Sequence, residues 1–116
     1  MTKSIIPAKT DLPFSAAVRA GDFIFNSGTT GHVDAQGNPI EGIESQAKQC
    51  LENMKQVLQK ADASLSDVIK TTVFLTNVDD FAKMNEVYRG YFATDLPARS
   101  SIITGLANAR MLIEIE

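Results

Sequence analysis

The sequence has no tryptophan, one cysteine, one histidine and four prolines in 116 residues. Each shortage excludes something. The lone cysteine, Cys50, cannot close an internal disulfide, which fits a reducing compartment. It falls among regularly spaced apolar residues and reads as a core residue rather than a nucleophile. The lone histidine, His32, sits in a glycine-flanked loop beside Thr29 and Thr30 and reads as a loop residue. With it so isolated, no Ser-His-acid or Cys-His pair stands out. No His/Cys/carboxylate cluster has metal-ligand spacing, so no metal site is expected. No apolar run approaches the roughly 20 residues needed to span a bilayer. Residues 1–6 lack a long apolar signal region, so the expected location is cytoplasmic with no membrane partner. Positive charge is in short supply too. The formal net charge is −3, and nucleic-acid binding needs a basic face, so no nucleic-acid partner is expected. The segment Ser27-Gly28-Thr29-Thr30-Gly31 lacks the lysine and spacing of a phosphate loop.

What remains is a chain that is 44% hydrophobic. That is enough to build a core in one domain spanning 1–116, without staples. Ile43, Ala47, Cys50, Leu51, Met54, Val57, Leu58 and Ala61 recur in steps of three and four, which predicts an amphipathic helix over 43–61. Phe81, Met84, Tyr88 and Tyr91 predict a second over 79–92, with Asp79 or Asp80 as its cap. Strands are expected at 3–7, 16–20, 22–26, 68–76, 98–104 and 111–116, with a polar loop over 31–42. Gly105-Leu106-Ala107-Asn108 reads as a hairpin turn joining the last two strands. The expected class is α/β (α+β), a mixed sheet with two helices on one face. Val68, Thr72, Phe74, Ile102 and Leu112 exceed what two helices can cover, so the other face is expected to oligomerise.

Two polar intrusions interrupt the apolar C-terminal region, Pro97-Ala98-Arg99-Ser100-Ser101 and Ile113-Glu114-Ile115-Glu116. If the intervening turn holds an even number of residues, Arg99 and Glu114 share a face and pair across a hairpin. A guanidinium grips a carboxylate through two parallel hydrogen bonds, and a glutamate can orient and deprotonate water. The same two residues also fit a surface ion pair worth about 0–1 kcal/mol. The residues alone leave both readings open.

Taken in order, Pro13-Phe14-Ser15-Ala16-Ala17-Val18, Gly21-Asp22, Ser27-Gly28, Lys70-Thr71-Thr72-Val73-Phe74-Leu75, Asp80-Phe81, Asn85-Glu86-Val87-Tyr88, Leu96-Pro97-Ala98-Arg99-Ser100 and Ile113-Glu114-Ile115-Glu116 resemble the RidA (YjgF/YER057c/UK114) family over nearly the whole chain. Its best-known members are enamine/imine deaminases. The resemblance implies a chorismate-mutase-like domain and a homotrimer with a barrel-like core and ligand clefts between subunits. It implies hydrolysis of 2-imino or 2-enamino acids to 2-keto acids and ammonia, with no cofactor. Arg99 would bind the substrate carboxylate and Glu114 would position water. Phe14, Ser27, Gly28, Asn85 and Ser101 would line or support the cleft. Phe14 stands where the family usually has tyrosine, Ser101 where it has cysteine, and Thr29 where glutamine often follows Ser-Gly. The segment before Pro97 is short, and relatives usually run several residues past the position of Glu116. These departures imply altered substrate preference or weaker activity. They keep a non-catalytic 2-keto-acid binding protein as the alternative. Ribonuclease or translation inhibition, a label the family often carries, fits the acidic charge and the isolated histidine poorly.

Overall fold

The computed structural model describes residues 2–116. Strands β1 (Lys3–Pro7), β2 (Ser15–Ala20) and β3 (Phe23–Asn26) form an antiparallel sheet in the order β1-β2-β3. Strand β4 (Thr29–Thr30) follows at once and belongs to a second sheet. Helix α1 (Ile43–Lys60), strand β5 (Lys70–Leu75), helix α2 (Phe81–Tyr91), strand β6 (Ala98–Ile103) and strand β7 (Ile113–Ile115) complete the chain. The second sheet runs β4-β7-β5-β6. It is mixed, because β5 pairs parallel with β6 and antiparallel with β7. Among the described residues, no helix is long and apolar enough to cross a membrane.

Both helices form where the apolar spacing predicts them. The stripe of α1 buries Ile43, Ala47, Cys50, Leu51, Met54 and Leu58 against Val73 and Leu75 of β5 and Ile113 and Ile115 of β7. Each large aliphatic side chain so buried contributes roughly 1.5–3 kcal/mol. On β5, Thr71, Val73 and Leu75 are buried while Thr72 and Phe74 stand on the opposite face, the two-residue period of a strand.

Four expectations need correction. Asp80 occupies the N-cap position of the second helix, as expected, but its carboxylate does not do the capping. Val78–Asp80 winds first into a 3-10 turn, so the orphan N–H groups start earlier, and the Asn77 side chain accepts from the Asp79 N–H at 2.9 Å. Asp80 makes no side-chain cap bond. Val68 and Leu112 do not belong to the uncovered face, since both pack partly buried against the core. Phe23 and Phe25 of the first sheet are apolar and 58% and 63% exposed, and Ile102 of the second sheet is 44% exposed.

The third correction bears on function. Strands β6 and β7 are not a hairpin. The unit β5–α2–β6 is a crossover that lays β6 parallel on one edge of β5, and β7 then enters on the other edge, between β4 and β5. The fourth is the short β4, which falls outside every expected strand. Its two residues pair with Ile115 and Glu114.

Candidate functional site

On β6, Arg99 lies opposite Thr71 of β5. Directly opposed residues share a face, so Arg99 turns toward the helices with Thr71. There its guanidinium carbon sits 4.9 Å from the centre of the Tyr88 ring and 5.6 Å from that of Phe81. Guanidinium over an aromatic face is attracted by the ring quadrupole, by about 0.5–1 kcal/mol where water has access. The Tyr88 ring is itself fixed. Its hydroxyl meets Thr71 Oγ1 at 2.8 Å in the interior, and its face tilts against Phe92 with centroids 4.7 Å apart. Asn85 falls four residues after Phe81 and three before Tyr88, on the same face of α2. Ser101 follows Arg99 on the same face of β6 and is exposed. Among the described residues no carboxylate forms an ion pair with Arg99, the one side-chain ion pair being Lys55–Glu52 at 3.6 Å.

Glu114 is placed elsewhere. It opposes Phe74 on β5 and Thr30 on β4. Phe74 and Thr71 are three residues apart on one strand and point to opposite faces. Arg99 and Glu114 therefore lie on opposite faces of the sheet, with β5 between their strands. The expected same-face pair is overturned because the strand inserted between β6 and β7 removes the direct ladder. The surface ion pair that competed with it goes as well.

The Glu114 carboxylate rests on Gly28. A Cβ built at Gly28 would lie 2.7 Å from Glu114 Cδ, so glycine is needed there for close approach. Half-burial, and then the nearby Glu116 charge, raise the Glu114 pKa above its ordinary value of 4.5, because desolvation disfavours the ionised form. Ser27 precedes Gly28. Its Oγ donates to Ser15 O at 2.5 Å and its N–H to Ala16 O at 2.9 Å. That hydroxyl proton is committed to β2, and only its lone pairs face outward. Phe14, Ser27 and Gly28 line a cleft of about 490 Å³ whose far wall includes Gln49 and Asn53 of α1. Arg99, Asn85, Ser101 and Glu114 are outside that lining. The seven residues singled out from the sequence thus form two clusters: Arg99, Asn85 and Ser101 at the α2–β6 edge, and Glu114, Gly28, Ser27 and Phe14 around the β3–β4 bend.

Three contributors went unrecognised in the sequence. Tyr88 and Thr71 build the platform under Arg99. Gln46, fully buried on the stripe of α1, donates through Nε2 to Ile40 O and Arg110 O and accepts at Oε1 from Leu112 N–H, each at 2.9 Å. It ties the approach to β7 onto the helix two residues before Glu114. A glutamine on an apolar helical stripe was the available signal.

Residues 5–116 match the family model described as Endoribonuclease L-PSP. The chain belongs to this family, the RidA (YjgF/YER057c/UK114) family. A RutC family protein of Pyrococcus horikoshii is 45% identical over 105 residues, covering 90% of this chain and 83% of that protein. The human 2-iminobutanoate/2-iminopropanoate deaminase is 36% identical over 105 residues, 90% of this chain and 77% of that protein. Among solved structures, a Rid-family protein of unknown function from Yersinia pestis superposes with a TM-score of 0.91 at 32% identity, covering 98% of this chain and 95% of that one. The mixed α+β architecture with two helices is therefore the Rid fold.

Proposed function

We propose that this RidA-family chain hydrolyses 2-imino acids, tautomers of 2-amino-2-enoates, to 2-keto acids and ammonia. It does so in clefts between copies of itself in a homotrimer. One observation carries the reading: Arg99 is held on two rings and, among the described residues, has no carboxylate paired with it, a guanidinium prepared for a planar anion. The name of the human relative supplies the substrate class.

Arg99 holds the substrate carboxylate, and fixing the geometry lowers the barrier to attack at the adjacent carbon. That carbon is electrophilic once the imine nitrogen is protonated. Glu114 orients a water and takes its proton as the C–O bond forms. Its partly desolvated carboxylate is a stronger base than a free one. Glu114 passes that proton to nitrogen, the C–N bond breaks with its electron pair leaving on ammonia, and the hydroxyl gives its proton back to Glu114 as the carbonyl forms. Because Arg99 and Glu114 occupy opposite faces of one sheet, the complete site joins Arg99, Asn85 and Ser101 of one copy with Glu114, Gly28, Ser27 and Phe14 of another. The exposed Phe23, Phe25 and Ile102 supply apolar surface for that assembly. Net charge −3, and a His32 ring engaged by the Thr30 hydroxyl at 3.2 Å, favour this chemistry over RNA cleavage.

The test couples a threonine dehydratase to the chain and follows 2-ketobutyrate release. Acceleration by the wild type and its loss in Arg99→Ala support the proposal. Arg99-dependent 2-ketobutyrate binding in calorimetry, without acceleration, replaces it with the binding-protein reading. Light scattering giving a monomer at assay concentration overturns the shared cleft.

A further inference from the structure

The Glu114 carboxylate rests on Gly28, and β4 begins at the next residue. That strand is two residues long and stands at an edge of its sheet, with β7 as its strand neighbour. Thr29 pairs with Ile115 and Thr30 with Glu114. Burial and the Glu116 charge act on the Glu114 carboxylate, and among the described residues no hydrogen bond does. The Thr30 hydroxyl is engaged with His32 Nδ1 at 3.2 Å. The carboxylate therefore takes its place from Gly28 and β4, and whatever fixes that short segment fixes the carboxylate.

Side chains of α1 hold β4. Asn53 Nδ2 donates to Thr30 O at 2.9 Å, and the Cys50 thiol donates to Thr29 O at 3.0 Å. The thiol is the weaker donor of the two. Gln49 lies one turn before Asn53 on the same helix face and donates through Nε2 to Asn53 Oδ1 at 2.8 Å. That bond orients the amide: with Oδ1 taken up by Gln49, Nδ2 is the end turned to the strand. Gly31 allows the close approach. It is buried, and a Cβ there would strike the Gln46 carbonyl oxygen and lie 2.5 Å from the Cys50 nitrogen. Asparagine is a poor residue for the middle of an 18-residue helix, because its amide competes for backbone groups. Its presence in α1 is accounted for by the strand it holds.

We propose that Asn53 is a positioning residue: oriented by Gln49, it clamps Thr30 to α1 and thereby sets the Glu114 carboxylate toward the attacking water. Asn53 acts through Thr30 and not by touching substrate, and its effect on rate rests on the role proposed for Glu114. Arg99 stands on β6, at the other edge of the sheet, so the grip on the substrate carboxylate is left alone. The clamp therefore works on kcat and leaves KM in place. Its chemistry is that of a donor. A side chain of similar bulk that cannot donate to Thr30 O leaves β4 held by the Cys50 thiol and the Gly31 contact, and the carboxylate loses its fixed seat.

The test uses three variants of the full chain. Asn53→Leu keeps the bulk, removes the donor and is the better helix former. In the dehydratase-coupled assay its kcat is expected to fall about tenfold, with KM within about twofold of wild type. Titration of the Glu114 carboxyl carbon by NMR is expected to move its midpoint down toward 4.5, as the loosened carboxylate gains water. Gln49→Glu and Gln49→Lys separate the direction of the amide from packing. Glu accepts only, so it turns Asn53 Nδ2 to itself and presents Oδ1 to Thr30 O, and it is expected to match the loss in Asn53→Leu. Lys donates and is expected to stay several-fold faster than Glu. Should Asn53→Leu fail to fold, the Gln49 pair decides, and equal rates in that pair overturn the proposal. A rise in KM at unchanged kcat in Asn53→Leu makes Asn53 a substrate contact and overturns it too. A wild type without deaminase activity removes the proposed chemistry instead. The NMR midpoint then judges the clamp alone: a downward move keeps Asn53 as the residue that positions the carboxylate, and an unmoved midpoint ends the proposal.

Discussion

The hydroxyls of Tyr88 and Thr71 meet at 2.8 Å in the interior, and the ring so anchored is the one on which Arg99 lies. Tyr88→Phe keeps the ring and strands the Thr71 hydroxyl. An unsatisfied buried hydroxyl costs about 1–3 kcal/mol, so urea unfolding is expected to show a loss in that range. Adding Thr71→Val removes the orphan and is expected to restore part of it. Deaminase activity in Tyr88→Phe is expected to suffer mainly in KM, since the platform loosens without touching the reacting carbon.

Gly28→Ala separates activity from stability. Gly28 is not in the left-handed region of φ, and its added Cβ would meet chiefly the end of a flexible side chain, the Glu114 carboxylate. The protein is expected to fold with little change in Tm while the carboxylate is displaced. A kcat loss of at least about tenfold is expected, since a shift near 1 Å in a catalytic group carries penalties of that order or larger. Unchanged kcat would remove Glu114 from the proposed chemistry.

The raised Glu114 pKa gives two pH signatures. Rates that need its carboxylate are expected to fall on the acid side at a pH above 4.5, the ordinary glutamate value. Glu114→Gln is expected to remove both the activity and that limb. Stability runs the other way. A folded-state pKa above the unfolded one means that the folded chain prefers the protonated acid, so ionisation works against folding. The penalty is absent below the unfolded pKa and complete above the folded one. Glu114→Gln is therefore expected to raise stability at neutral pH, with the gain vanishing at about pH 4 and below.

Gln46→Ala is expected to cost roughly 3 kcal/mol or more in urea unfolding, because it leaves buried backbone groups of Ile40, Arg110 and Leu112 without their partner. Its readout beyond stability is the Glu114 pH limb, which is expected to shift as β7 loses its tie to the helix.

Arg99→Lys retains the charge but loses the planar fork and the ring stacking. A fall in kcat/KM of about 10–100-fold is expected, mostly in KM, with stability nearly unchanged because the residue is part-exposed.

Much of this was legible in the residues. The stripes of α1 and α2 declared themselves because amphipathic spacing is a local signal. The Ala98-to-Ile103 and Ile113-to-Ile115 segments read correctly as strands for the same reason. What pairs with what was not legible. Whether Arg99 meets Glu114 depends on β5 entering between them, and strand neighbours separated by dozens of residues leave no mark in the spacing. Capping failed on a finer scale, since Asn77, Asp79 and Asp80 all suit a helix start and only the 3-10 turn decides among them. Arg99 and Glu114 stood out as polar residues in apolar segments, the residues around them came from the family resemblance, and the separation into two clusters was found only in three dimensions. Tyr88 was read as core and is core. That it also carries Arg99 depends on the register of β5 with β6.

Strand β7 is three residues long and follows the other described elements in the sequence, yet it sits inside its sheet between β4 and β5. A chain growing from its N-terminus can close β1-β2-β3 and the β5–α2–β6 crossover early. It cannot bring β4 into the second sheet until residues 113–115 exist. A product interrupted before them keeps two bare strand edges and lacks Ile113, Ile115 and Glu114 together. Such edges invite aggregation and degradation. The placement of β7 thus joins two tasks in one segment: the strand that carries Glu114, the residue proposed to activate water, is also the one that buries Ile113 and Ile115 in the core.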